Sequence, residues 1–572
     1  MLNVTENGRR FNVTSEKPDA LKQLVRYFED AGHNDVRTFR GSLSVPLSKG
    51  VELLAFAGDA QWSDNALLLA SNMSDANAQQ ARARLEVEEA LRAPDEYLAG
   101  LDIIESLDAC QREAVAAMAV PSLAGLAIFD EQGVGKTAMS IAAFHRLRST
   151  DVVRKLIVVT PKSTIGSWLN EFERLLPGKY VVRSCAGSKQ SRRKALMSPH
   201  DVLIMTYEAV TSDAGLVQMV AGVNPNSYML VVDESYMVKN DAALRTQAVK
   251  RVRERCARAV ILCGTPAPNR PGDIVSQINV ADGGVAFRGI EIPDDRDEAT
   301  AVVRGALSNA IYLRRLKSEV LAFVPEKSFE IQYLELQPAQ QLLYNELRDG
   351  LASDLRSVSD EGFEEARMSF LARRSALLQV CSHPGAVTDS YTETPTKLVF
   401  LDDLIDRLTA SGEKVVLWSF YRYSLSVLEA RYRQKGVVRV DGSVSSAEER
   451  ANRIRRFQTD PETRIFIGNA AAAGAGITLT AARHAIYESL SNQGAHYMQS
   501  LDRIHRRGQD RDVTFHVLVC NQTVEEKHLE TLIEKERMSR ELLPSSREVT
   551  LSRLSMLAEL DALDPDQRPS LT

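Results

Sequence analysis

At 572 residues, with 44% hydrophobic and 26% charged side chains, the chain has room for about three or four domains and is neither a fibre nor wholly disordered. A net charge of -6 excludes a uniformly basic coat, although a local basic stripe is enough to hold nucleic acid. Six cysteines (Cys110, Cys185, Cys256, Cys263, Cys381, Cys520) lack zinc or redox spacing and read as reduced, partly buried thiols. MLNVTENGRRFNVTSEK carries no apolar signal segment, and no apolar run reaches the ~20 residues that span a bilayer. The expectation is a soluble, intracellular protein with no membrane role.

Residues 1 to about 100 form a small α+β accessory domain. A helix is expected over Asp19 to Ala31, strands near Thr38 to Val45 and Val51 to Phe56, and a polar, Ala-rich helix from about Asp75 to Arg92. This domain is a candidate docking site for a protein partner. From Leu123 the pattern changes: LAGLAIFD, KLIVVT, VLIMTY, YMLVVDE and AVILCG read as buried strands alternating with helices such as Lys136 to Leu147 and Thr164 to Leu175. Such alternation specifies a parallel α/β sheet. A charged, mostly helical stretch interrupts it from Gly283 to Thr396, and then KVVLWSF, VVRVDG, RIFIGN, HAIYES and VTFHVLV resume the strand pattern. The fold expected is α/β, two RecA-like parallel-sheet lobes at 101–285 and 396–540, with a helical insertion at 286–395 and a polar tail at 541–572.

DEQGVGKT, Asp130 to Thr137, follows a strand and opens a helix, as a phosphate-binding loop must. Gln132, Gly133, Val134, Gly135 and Ala138 complete the expected cradle: glycines allow close backbone approach, and exposed N–H groups with the helix N-terminus favour an anion. Lys136 is expected at the β- and γ-phosphates of ATP and Thr137 at Mg2+. The first glycine of the full GxxxxGK[ST] pattern is replaced by Asp130. Asp233 and Glu234 close the apolar run YMLVV, at the crevice where open α/β sheets bind ligands. Asp233 is expected to hold the metal through water, and Glu234 to orient and deprotonate the attacking water. QSLDRIHRRGQ, Gln499 to Gln509, reads as a helix on which Arg503 and Arg506, three apart, share a face and supply guanidinium groups to the transition state.

Together with these, VVTPKSTIGSWLNEFER, TYE, VVDESYMVKN, LCGTPAPNRPGD, YLRRLKSEV, CSHP, DGSVSSAEER and NAAAAGAGITLTAA stand in the order found in Snf2 proteins. The chain resembles the Snf2 family of superfamily 2 helicase-like ATPases from about Leu107 to Glu526. The resemblance implies an ATP hydrolase using Mg2+ that moves along double-stranded DNA by sequence-independent backbone contacts, remodelling DNA structures or protein–DNA complexes. It implies Gln111 at the adenine edge, Arg503 and Arg506 as arginine fingers, Gly264, Thr265 and Gly476 as coupling residues, and Pro161, Lys162, Thr206, Ser419 and Thr478 along the tracked strand. Alternatives are a strand-separating helicase and a non-enzymatic DNA-binding scaffold.

Several positions depart from the family pattern. Ser235-Tyr236 stands where Ala-His is usual, Cys110 where an aromatic precedes Gln111, Ala473 in place of a glycine, and Ser491 to Gln493 in place of Trp-Asn-Pro. This divergence resembles bacterial or phage members, for which the cytoplasm is the expected location, and the nucleus if eukaryotic.

Overall fold

The computed structural model describes residues 2–543 apart from 8–9, 31–35, 40, 58, 224–226, 321–324, 445, 471–476 and 492. Gly476 and Ala473 therefore lie outside the described residues. Apart from the loop residues Glu131–Val134, one compact unit runs to Arg315 and another from Leu316 to Glu541.

The first unit begins with a five-stranded sheet: β1 (Leu2–Asn7), β2 (Arg10–Ser15), β3 (Arg37–Phe39), β4 (Ser42–Pro46) and β5 (Gln61–Trp62), in the order β3-β4-β2-β1-β5. Val4, Phe11, Val13, Leu43 and Val45 alternate inward along the strands and meet Leu24 and Phe28 of the helix Pro18–Asp30. Val51 to Phe56, expected as a strand, is instead part of a helix, Gly50–Phe56, whose end is marked by the Ala57 N–H donating to Leu53 O at 2.8 Å. Six residues, five of them apolar, carry no period long enough to separate the two conformations. The Ala-rich helix is longer than expected, Asp64–Arg92. Its first turn is capped by Ser63, whose Oγ accepts from Ala66 N at 3.3 Å.

The same unit then builds a seven-stranded sheet from β6 (Gly125–Ile128), β7 (Lys155–Thr160), β8 (Val182–Cys185), β9 (Val202–Thr206), β10 (Tyr228–Asp233), β11 (Arg258–Leu262) and β12 (Tyr312–Leu313). The order is β12-β6-β11-β10-β7-β9-β8, with every pairing parallel. Strands covered on both faces read as continuous apolar runs, and β7, β9, β10 and β11 are buried almost throughout. In the second unit β13 (Lys327–Leu334), β14 (Val415–Trp418), β15 (Val437–Val440), β16 (Ile465–Gly468), β17 (His484–Tyr487) and β18 (Val513–Cys520) form a six-stranded parallel sheet, ordered β13-β18-β17-β14-β16-β15. Alternate residues of its strands feed two cores: Val416, Trp418 and Phe466 on one face, Val415, Leu417, Ile465 and Ile467 on the other.

The stretch expected to be mostly helical, 286–395, contains the helices Arg296–Leu307, Pro338–Ser357 and Asp360–Ser382, and it also supplies β12 to the first sheet and β13 to the second. These are edge strands. One is only two residues long, and the other exposes Phe329, Ile331 and Tyr333, so neither carries the buried run that marks a central strand.

Candidate active site

Parallel strands share a direction, so their C-terminal ends lie along one edge of the sheet, the edge at which α/β proteins bind ligands. In the seven-stranded sheet that edge collects the expected residues: Asp130 after β6 and Gly135 at the end of the same loop, Pro161 and Lys162 after β7, Thr206 ending β9, Asp233 ending β10, and Gly264 and Thr265 after β11. The connection after β6 carries two left-handed glycines, Gly133 at φ +87° and Gly135 at φ +94°. Gly135 immediately precedes the helix Lys136–Ser149, and a Cβ placed on it would stand 2.2 Å from Gln111 Nε2. The left-handed backbone favours glycine there, and a larger residue would have to push the Gln111 amide aside.

Lys136 opens the helix and donates from Nζ to the Asp130 carbonyl at 2.8 Å, while burial pulls its ammonium below the ordinary lysine range against the pull of Glu234 and Asp130. Thr137 and Ala138 follow on the same helix. Gln111 is buried in the helix Ala109–Met118, where its Oε1 accepts from the Asp108 N–H at 3.2 Å and closes a capping box. One face of its amide is therefore committed to the helix start, while Nε2 points to Gly135.

Asp233 Oδ2 accepts from Thr160 Oγ1 and Trp168 Nε1, both at 2.9 Å. Burial raises its pKa, and those two hydrogen bonds together with nearby Lys136 oppose the rise. An oriented, buried carboxylate beside a hydroxyl-bearing helix start suits a hard divalent cation held through water, so Asp233 and Thr137 fit Mg2+. Glu234, 7% exposed, sits at φ 52° and ψ 52°, in the left-handed region that a non-glycine residue enters at a cost of about 1–3 kcal/mol. Tyr207 holds that turn from below, donating from its hydroxyl to Asp233 O at 2.6 Å.

Asp130, which replaces the first glycine, has a partner that the sequence pattern did not single out. Arg315 donates from Nε to Asp130 Oδ1 at 3.2 Å and from a terminal nitrogen to Oδ2. Its other terminal nitrogen reaches the Cys110 carbonyl and Glu113. Arg314 donates to the carbonyls of Phe129 and, at 3.1 Å, Gly264. The strand pairing explains this: Leu313 lies opposite Ile128, so the next two residues of each strand face one another. The signal in the sequence was the doubled arginine of YLRRLK directly after an apolar pair.

In the second unit the helix ends earlier than expected. It spans Gly494–Leu501, and Arg503 and Arg506 lie in the turns that follow, so they do not share a helix face. The Arg503 carbonyl accepts from Leu479 N at 2.9 Å, which draws the chain out of helical pairing. The two guanidinium groups still converge, on the Ile477 carbonyl, at 3.5 Å from Arg503 and 2.9 Å from Arg506. Ser419, after β14, is 1% exposed with its Oγ 3.2 Å from Ser489 Oγ, and the Thr206 Oγ1 caps the helix Tyr207–Gly222. The hydroxyls of both are occupied by the protein itself. Lys162 is exposed; Pro161 and Thr478 are half-buried. All six cysteines are free and buried. Cys381, Cys520 and Glu525 come together as metal-type donors, but Lys397 Nζ, 2.7 Å from Glu525 Oε1, already supplies the buried cation there.

A strand-borne glycine loop with a helix-opening lysine, and an acidic pair ending a strand of the same sheet at the same edge, defines a nucleotide hydrolase of the two-lobed helicase type. The chain belongs to the Snf2 family of helicase-like ATPases and is an ATP hydrolase. The SNF2-related domain matches residues 110–386 and the helicase conserved C-terminal domain residues 396–508. It is similar to the ISWI chromatin-remodeling complex ATPase ISW1 of Saccharomyces cerevisiae, 27% identical over 77% of this chain and 40% of the yeast protein. It is also similar to the human DNA annealing helicase and endonuclease ZRANB3, 28% identical over 70% of this chain and 37% of that one. The chain thus spans about two fifths of the length of these relatives. A solved Sulfolobus solfataricus SWI2/SNF2 ATPase core in complex with dsDNA aligns at a TM-score of 0.35 and 20% identity, covering 77% of this chain and 97% of that one.

Proposed function

We propose that the chain uses ATP hydrolysis to move along double-stranded DNA, remodelling DNA structures or protein–DNA complexes. The observation that carries this reading is the Asp233–Glu234 turn: a hydrogen-bonded carboxylate followed by a left-handed glutamate, at the same sheet edge as the Lys136 loop. Gln111 faces the adenine, and Lys136 leaves the Asp130 carbonyl for the β- and γ-phosphates. Thr137, and Asp233 through water, would hold Mg2+, which would supply positive charge against the phosphates. Glu234 aligns the attacking water and takes its proton. Arg503 and Arg506 stabilise charge on the transferring phosphoryl group. Gly264, Thr265 and Gly476 link nucleotide state to DNA, and Pro161, Lys162 and Thr478 lie along one strand's phosphates. The relatives, one a chromatin-remodeling complex ATPase and one a DNA annealing helicase, support a duplex substrate.

The test is the ATPase rate measured with duplex, single-stranded and forked DNA and with RNA, alongside a strand-displacement assay. Duplex DNA is expected to stimulate most, without strand separation, and stimulation is expected to fall steeply as salt rises, because backbone contacts release counterions. Equal stimulation by RNA, or displacement of a labelled strand, would replace translocation by unwinding.

A further inference from the structure

Where the family pattern has Ala-His after the acidic pair, this chain has Ser235-Tyr236, and the structure gives the serine a specific partner. Ser235 and Gln277 are both fully buried. Ser235 Oγ donates to Gln277 Oε1 at 2.7 Å, and Gln277 Nε2 donates to Pro266 O at 2.6 Å and Asp273 O at 2.7 Å. The amide orientation is fixed by chemistry: its NH2 group must face the two carbonyls, which leaves the oxygen needing a donor that Ser235 supplies. A second bridge runs beside it. Cys263 takes hydrogen bonds from the backbone of Tyr236 and of Thr265, while burial pushes its thiol up to about 12. The hydroxyl of Thr265 is buried without a partner among the described residues. The turn Gly264–Thr265–Pro266 is therefore fastened at both ends to the two residues that follow Glu234.

We infer that Ser235 and Gln277 are positioning residues that tie the hydrolytic glutamate to the turn after β11, so that a displacement of that turn is carried to Glu234. Two physical features support transmission rather than packing alone. Glu234 is held in a left-handed conformation that costs energy, so it relaxes unless its neighbours fix it. The contact to Pro266 consists of directional hydrogen bonds in a dry interior, which resist sliding more than apolar contact does. A serine at 235 carries this connection in the absence of the usual histidine at 236. The inference rests on Glu234 being the hydrolytic base.

The experiment compares full-length wild type with S235A, Q277M and the double variant, measuring melting temperature and the ATPase kcat and KM at the highest rate each protein reaches. Each single change is expected to lower kcat about tenfold with KM within twofold. The double variant is expected to lose no more than the worse single, because the two residues act as one unit. Stability separates this from a structural role. The Pro266 and Asp273 carbonyls lose their donor in Q277M and in the double variant alike, but the double variant also removes the buried Ser235 hydroxyl that Q277M leaves without its acceptor, so it melts no lower than Q277M. Its kcat stays low. Recovery of kcat together with stability, singles within twofold of wild type, or losses that multiply in the double variant would each overturn the relay. Glu234→Gln is run in parallel: if that variant turns over normally, the base assignment itself has failed. Absence of duplex stimulation in wild type would instead sink only the translocase reading.

Discussion

At the scale of single residues, the site is a set of buried charges that satisfy one another. Lys136 is pulled down by burial and held up by Glu234 and Asp130, while Asp233 is pushed up by burial and held down by Trp168 and Thr160. Glu234→Gln keeps the glycine loop and leaves Asp130 to hold up the Lys136 charge, so it is expected to bind ATP in a filter or fluorescent-nucleotide assay with affinity near wild type while phosphate release stalls. Lys136→Ala is expected to fail at both, since that side chain supplies the only lysine on the loop. The Asp130–Arg315 pair makes a different prediction. The side chains are 0% and 5% exposed, and breaking such a pair from one side strands a buried charge, at a cost of about 3–5 kcal/mol. Arg315→Met is therefore expected to lower the unfolding free energy of the first unit by an amount of that order, read from the denaturation midpoint, whereas Arg154→Met, which breaks an exposed pair with Asp151, leaves the midpoint almost unchanged.

At the scale of elements, the helix Asp64–Arg92 connects the N-terminal sheet to the ATPase core. Its first turns place Ala66 and Ala70 in the core of the small sheet. Further on, Gln80 donates to Asn309 O and Arg84 to Ala310 O, both at 3.1 Å, and Glu86 accepts from Ser122 Oγ at 2.6 Å. A chain begun at Asp95, near the composition change, loses those donors and bares the apolar side on which Ala83, Val87 and Ala90 are buried. A chain begun at Ser63 keeps them along with the helix cap. The first is expected to melt lower and aggregate in thermal scans, and the second to retain basal ATPase. Element types were legible where burial on both faces produced runs such as KLIVVT and YMLVV, and the loop and acidic pair were legible because each ends such a run. The strand KSFEIQYL was not, since an edge strand can expose the alternate residues that a central one hides. The turn holding Arg503 and Arg506 was not legible either: the residues around it have helical periodicity, and only a backbone hydrogen bond from Leu479, distant in sequence, ends the helix.

At the scale of the whole molecule, the lysine loop and acidic pair belong to one parallel sheet and the paired arginines follow strands of another. Arg503 and Arg506 are drawn to one carbonyl, Ile477 O, which keeps two cations close, with the Asp502 carboxylate favouring the charge on Arg506. Burial and the neighbouring Arg503 both work against the charge on Arg506, and its pKa is lowered to about 10, which still leaves it cationic at neutral pH. Bringing a third, anionic group to such a pair is favourable because it relieves like-charge repulsion as well as forming charge-assisted hydrogen bonds. A phosphoryl group gaining negative charge on its way to the transition state gains more from this than the ground-state nucleotide does. Arg506→Ala is accordingly expected to lower kcat by roughly 10³-fold, the scale of an arginine finger, with KM for ATP changed by less than fivefold. Arg506→Lys should rescue only part of the loss, because a point charge lacks the fork. A variant that instead raised KM in proportion, with kcat intact, would place Arg506 in ground-state nucleotide binding and leave the transition state to other groups.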